Sequence, residues 1–227
     1  MKAVYIDHMG TDLSVVRAAK VSMANDKTVQ SFIDDIEAKK LGCRSHAALL
    51  RYLARHNHWT PYAHTAISLR VTAPVPIRTQ CFKHKQGFVE NEESRRYISS
   101  IPELFIPDEF RQKAESVKQG SGGVHPDSEY WKNVYWDHCS WGLTLYEEML
   151  VEGICPEQAR FVLPQGVEVN WIWTGNLAAF ARYFCQRTEP HAQKESQDLA
   201  KEIGEILSDL FPYSWKYLTT PEATWDD

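Results

Sequence analysis

The sequence predicts an α+β fold: one domain over 1–227, with a modest mixed or antiparallel sheet flanked by long helices. Three observations carry that prediction. AISLRVTAP (66–74) alternates in the strand manner, with Ile67, Leu69 and Val71 on one side. The second half is mainly helical in pattern, most clearly over 128–153, 176–189 and 193–211. The 227 residues are 43% hydrophobic and include 8 Trp and 10 Tyr, enough to bury a proper core and richer in aromatics than a disordered chain.

Taken in order, AVYIDHMG (3–10) reads as a short strand. A helix capped at Asp12 or Ser14 follows, with Val15, Val16, Ala19 and Val21 as its apolar positions. A second helix runs from its cap Ser45 to about Asn57, with Ala48, Leu49, Tyr52 and Leu53 on one face, and breaks at Pro61. After Pro76 the pattern is helical through IRTQCFKHKQG, and Gly87 ends it. FVENEESRRY (88–97) reads as a charged loop. The segment 112–127, rich in Gly and polar residues, reads as a mobile insert; it lacks GK[ST] and so is no P-loop. Asp127 or Ser128 caps the helix over 128–153. PEQARFVLP (156–164) is a short helix with Pro in its first turn and a Pro stop, and VEVNWIW (167–173) is a strand.

Composition narrows the function. A formal net charge of -5 disfavours a general nucleic-acid binder. No apolar run reaches signal-peptide or membrane-span length, so a soluble, cytoplasmic protein is expected. The cysteines are 5, scattered and without CxxC, which speaks against a disulfide framework or a cysteine zinc site. His56, His58 and His64 lack a standard zinc spacing and an interleaved carboxylate, so no metal is expected.

The richest chemistry lies in 80–97. On a helix Gln80, Lys83, His84 and Gly87 share one face. Asn91, Glu92, Ser94, Arg95 and Arg96 follow. Lys, Arg and hydroxyl groups suit a phosphate, while carboxylate and amide groups suit sugar hydroxyls. A solvated charged loop has the same pattern. A second patch holds Phe180, Phe184, Arg187 and His191, with Pro190 placed to end the helix before His191. An arginine between phenylalanines is partly desolvated and needs a partner: a flat hydrogen-bonding heterocycle, or an internal pair with Glu189 or Glu195. Arg160, among Ala159, Phe161 and Val162, poses the same choice between a specific ligand and a structural pair.

In this order the patches resemble the flavin-dependent thymidylate synthases. The resemblance covers most of the chain, through MGTDLSVVRAAKVS, RHNHWTPYAH, the 80–97 stretch, PEQARFVLP, and WTGN to RTEPHAQKESQ. The family signature of Arg-His-Arg, a spacer and Ser stands here as Lys83-His84-Lys85 and Ser94, with Asn91, Glu92, Arg96 and Tyr97 also matching. Two features depart from it: both arginines are lysines, which lack the bidentate fork, and the spacer is one residue longer than the family's. They mark a divergent branch, such as a viral one.

The resemblance implies FAD held by His58, Thr60, Lys83, His84, Lys85, Asn91, Glu92, Asn176 and His191, with His84 against the flavin ring system. Ala178 and Arg182 replace polar residues of the family. It implies a nucleotide cradle of Gln80, Glu92, Glu93, Ser94, Arg95 and Arg96, with Arg160 reaching the phosphate from a neighbouring subunit and Arg187 on the uracil carbonyls. Arg187, Ser94 and His84 are the implied catalytic group, with Ser94 suited to binding, since no base sits next to it in sequence. The implied reaction methylates dUMP to dTMP, with methylenetetrahydrofolate as carbon donor and NADPH-reduced FAD as hydride source. The implied assembly is a homotetramer with active sites at subunit interfaces. Rival readings are a flavin- and folate-dependent pyrimidine nucleotide hydroxymethylase, a non-catalytic nucleotide- or RNA-binding protein, and a metal-dependent hydrolase built on His56, His58 and His64.

Overall fold

A computed structural model describes residues 1–21, 46–114 and 120–220 of the chain. The strands are β1 (Lys2–Met9), β2 (Ala66–Pro74), β3 (Phe88–Glu92), β4 (Arg111–Lys113), β5 (Ser121–Val124) and β6 (Glu168–Gly175). The helices are α1 (Asp12–Lys20), α2 (Ala47–Arg55), α3 (Val75–Cys81), α4 (Ser128–Val151), α5 (Pro156–Ala159), α6 (Leu177–Arg187), α7 (Lys194–Leu210) and α8 (Pro212–Thr219). The expected α+β class is the observed one, and every pairing in the main sheet is antiparallel.

That sheet has the order β1-β2-β6-β3. Strand alternation sets its two faces. Ile67, Leu69, Val71 and Ala73 of β2 and Trp171 and Trp173 of β6 are buried on the inner face, with Leu69 opposite Trp173 and Val71 opposite Trp171. Helix α6 packs there through Phe180 and Tyr183, whose rings meet Trp173 at 5.4 and 4.9 Å. Phe88 of β3 stacks on Trp173 at 4.4 Å. Gly175 makes that stacking feasible, because a Cβ there would lie 2.4 Å from the Phe88 ring. Each fully buried side chain of this size contributes about 1.5–3 kcal/mol. Asp12, instead of capping its own helix, is buried and accepts from Tyr213 N at 3.0 Å and Ser214 N at 2.8 Å, the first turn of α8. At α1 the Ser14 hydroxyl accepts from Thr11 N at 3.0 Å.

Several expectations are corrected. The helix after Pro76 stops at Cys81, so Gln80, Lys83, His84 and Gly87 do not share a helix face. Gly87 sits at φ +81, a conformation that favours glycine, and turns the chain into β3. The first part of the supposed charged loop is that strand. In α2 the buried residues are Leu50 and Leu53, whereas Ala48 and Tyr52 are exposed; the expected cap Ser45 lies outside the described residues. Of the expected insert, 115–119 lie outside the described residues, and its flanks pair as β4 and β5. Helix α8 was not anticipated. Among the described residues no helix is long and apolar enough to cross a membrane.

Candidate active site

Helix α3 is short and carries chemistry on two sides. Residues two apart on a helix point in different directions, so Arg78 and Gln80 serve different groups. Gln80 belongs to a polar knot with His84 and Arg187. Arg187 is the last residue of α6, and its Nε donates to His84 Nε2 at 2.9 Å. Its Nη1 donates to Gln80 Oε1 at 3.2 Å and its Nη2 to Gln80 O at 3.3 Å. Ser196 Oγ donates to the same Gln80 Oε1 at 3.0 Å, and Gln80 Nε2 donates to Gln193 Oε1 at 2.6 Å. The anticipated carboxylate partners are engaged or absent from this knot: Glu195 pairs with Arg111 at 2.6 Å.

His84 is half-buried and edge-on to Tyr183 at 5.0 Å. Burial pushes its imidazole down to about 4, and the guanidinium groups of Arg187 and Arg182 push the same way. The ring is therefore neutral at physiological pH. Arg187 can only donate, so Nε2 is the acceptor and Nδ1 carries the proton. Beneath it, burial raises the Cys81 thiol to about 11, which makes Cys81 a packing residue and no nucleophile.

Beside the knot lies a cleft of about 810 Å³, lined by Asn57, Trp59, Gly87, Asn176, Ala178 and Arg182 among others. Asn176 caps α6, its side-chain oxygen accepting from Ala179 N at 2.9 Å. Arg182 Nη2 donates to Gln86 O at 2.6 Å and so ties α6 to the turn before β3. A Cβ on Gly87 would lie 2.8 Å from the Asn176 amide nitrogen, so the turn is threaded against this wall. His58 and Thr60 flank Trp59 in sequence, and all three are exposed. His191 is exposed in the turn between α6 and α7.

On the other side of α3 a second cavity, of about 380 Å³, is lined by Arg78, Glu92, Glu93, Ser94, Arg95 and Arg160 together with apolar residues such as Phe161 and Val169. Both volumes fall in the range of small-ligand sites, roughly 300–1,000 Å³. Arg160 thus stands beside Ser94 and Arg95 of its own chain. Its Nε donates to Glu157 O at 3.3 Å. Ser94 Oγ accepts from Arg96 N at 3.3 Å, in a tight turn just after β3.

Two anticipated residues, Lys85 and Arg96, are paired within this chain. Lys85 pairs with Glu90. Arg96 pairs with Glu157 at 2.6 Å and lies over the Tyr97 ring. Asn91 and Glu92 are neighbours on a strand and so point to opposite faces of the sheet. Lys83 is exposed. The residue that sequence reasoning missed is Arg78, whose Nε lies 3.0 Å from Glu92 Oε2. Among the described residues no group of three or more His, Cys, Asp and Glu is placed to hold a metal ion.

Comparison with known proteins adds three findings. A family model described as "Thymidylate synthase complementing protein" matches residues 5–213. The chain is 32% identical to a flavin-dependent thymidylate synthase of Thermus thermophilus over 214 residues, covering 92% of this chain and 72% of that protein. It is 31% identical to one from Thermosipho africanus, covering 93% of this chain and 87% of that protein. Among solved structures it is similar to the UMP/dUMP methylase PolB of Streptomyces cacaoi bound with 5-Br dUMP, with a TM-score of 0.83 and 26% identity over 96% of this chain and 94% of that one.

Proposed function

The chain belongs to the thymidylate synthase complementing protein family, and from that premise we propose that it methylates dUMP to dTMP as a flavin-dependent thymidylate synthase. On this reading methylenetetrahydrofolate donates the carbon and NADPH reduces the bound FAD. The observation that carries it is Arg187, a half-buried fork whose three hydrogen bonds go to neutral acceptors on Gln80 and His84. A uracil offers carbonyl oxygens that replace those acceptors without leaving a charge unpaired.

The residues fit a flavin nucleotide. The larger cleft is mostly apolar, its wall carries the Asn176 amide and the Arg182 cation, and glycine at position 87 lets the backbone lie close to it. When bound there, the flavin supplies the hydride that completes the methyl group. The protein's own part is binding, orientation and electrostatics. Arg187 faces the uracil and stabilises negative charge on its carbonyl oxygens in the enolate-like form of the ring from which C5 attacks. His84 offers its Nδ1 proton as a donor while adding no like charge beside Arg187. Ser94, Arg95 and Arg160 supply the donors for the phosphate, and Glu92 accepts from the sugar.

The knot and the smaller cavity lie on opposite sides of α3. This supports a site completed between copies of the chain, with Arg187 from one copy and Ser94 and Arg160 from another, in a homotetramer. Exposed aromatic side chains support the same assembly: Trp131 and Trp141 on α4, and Phe161 beside Arg160.

The deciding experiment is the visible spectrum of the purified protein with FAD, before and after NADPH, then with dUMP and methylenetetrahydrofolate. Bleaching by NADPH, recovery with the last two and formation of dTMP are expected. A hydroxymethylated product would move the assignment to the hydroxymethylase, and failure to bind flavin would remove it altogether.

A further inference from the structure

Arg78 lies outside every role given so far, yet it lines the cavity formed by Glu92, Ser94, Arg95 and Arg160. Helix α3 starts directly after β2, so Arg78 sits one turn from a rigid strand. Its guanidinium carbon is 5.3 Å from the centre of the Phe82 ring, and that ring packs edge-on against buried Trp171 at 5.6 Å. Stacking of this kind restricts a side chain that would otherwise be long and loose. Arg78 Nε is 3.0 Å from Glu92 Oε2, and the two side chains are only 25% and 27% exposed. Glu92 is anchored in turn by β3, where it lies opposite Trp171.

Glu92 is subject to two opposing influences. Burial raises its carboxyl and the Arg78 cation opposes that. The other charged groups on the cavity wall are Arg95, Arg160 and Glu93. Glu93 is engaged, accepting from Arg70 Nη2 at 2.8 Å and from Asn170 Nδ2 at 3.2 Å. An ionised carboxylate only accepts hydrogen bonds. In a cavity where Ser94, Arg95 and Arg160 donate, Glu92 is the group to which a ligand hydroxyl donates.

We propose that Arg78 is a positioning residue of the nucleotide cavity, holding Glu92 by charge and close contact so that it accepts a hydrogen bond from a sugar hydroxyl. This rests on the reading of the cavity as a pyrimidine-nucleotide site. Arg78 touches no ligand in this role; it acts through Glu92, and its removal weakens the sugar contact while leaving the phosphate donors in place.

The test is calorimetric titration of the intact protein with dUMP and with 2′,3′-dideoxyuridine monophosphate, from about pH 5 to about pH 8, for the wild type, Arg78→Lys and Arg78→Met. The wild type should bind dUMP on the order of tenfold more tightly than the dideoxy nucleotide, as expected for a hydrogen bond to a charged group. Arg78→Met should bring the two within about twofold and move the acid loss of dUMP binding to higher pH, because the Arg78 cation no longer opposes the effect of burial on Glu92. Arg78→Lys should restore most of the gap. A variant that is merely misfolded loses both nucleotides alike, which circular dichroism would register. An undiminished gap and an unmoved pH profile in Arg78→Met would overturn the inference. Equal wild-type affinity for the two nucleotides would overturn it too, and leave the site reading intact. Wild-type protein that binds neither would sink both.

Discussion

Arg187 donates from Nε to Nε2 of His84 at 2.9 Å, so the end of α6 is bonded to the turn that follows α3. The same guanidinium holds Gln80 by two further bonds, and Ser196 of α7 fixes that glutamine from behind. Lysine at position 187 keeps the charge and loses the fork. Arg187→Lys should melt within a few degrees of the wild type while kcat/KM for dUMP falls by about 10²-fold. Steady-state kinetics beside thermal melts would check this, and near-normal turnover would remove Arg187 from the mechanism.

The His84 ring gives a pH signature. Its ordinary value is 6.5 and in the fold it is about 4, lowered by burial first and then by Arg187 and Arg182. Between those values the unfolded chain binds the proton and the folded chain does not, so stability falls as pH drops through that window. The contribution is fully present above 6.5 and gone below about 4. His84→Gln lacks this group, so its melting temperature should fall less than the wild type's between pH 7 and pH 5. Parallel curves would mean that His84 titrates normally.

Ser94 lines the smaller cavity with its hydroxyl near the Arg96 amide, and no base is bonded to it among the described residues. A binding role and a nucleophilic role predict different kinetics. Ser94→Ala should raise KM for dUMP by about tenfold and retain much of kcat. Complete loss of turnover at saturating dUMP would favour a covalent role instead.

Much of this was readable in the sequence where local pattern and tertiary placement agree. The β2 alternation, the helix over α6 and the long α4 all follow from residue order. Strand β3 was not legible because its pattern is inverted: Val89 faces out, while Glu90 and Glu92 face in toward Lys85 and Arg78. Ion pairs from α3 and from the turn after it meet those carboxylates, and no local rule anticipates them. Arg78 was missed for the same reason. Its partner lies 14 positions away (92 − 78), on an element that had been read as a loop.

Helix α8 was hidden because its cap comes from the other end of the chain. Asp12, 4% exposed, accepts from the amides of Tyr213 and Ser214, so one carboxylate closes the first turn of the last described helix. Asp12→Ala removes that acceptor and leaves two buried donors unpaired, at a cost of about 2 kcal/mol. Asp12→Asn keeps an acceptor oxygen and should lose less. Urea unfolding of the three proteins would rank them, and equal midpoints would show that the cap contributes nothing net.

The proposed assembly makes a stricter prediction than size alone. If Arg187 and Arg160 of one site belong to different copies, two inactive variants can repair each other. Arg187→Lys and Arg160→Ala should each be nearly inactive. Co-expressed, they form mixed tetramers in which some sites take Arg187 from one chain and Arg160 from the other, both intact. Random mixing gives about a quarter of such sites, so activity should return to about a quarter of the wild type. Trp141, 66% exposed on α4, supplies the control. Trp141→Glu should shift the protein to smaller species in sedimentation and abolish the rescue, because a charge cannot be buried unpaired in an apolar interface. Mixed tetramers without recovered activity would place both arginines in one chain's site, and the α3 helix would then have to be crossed by the ligand itself.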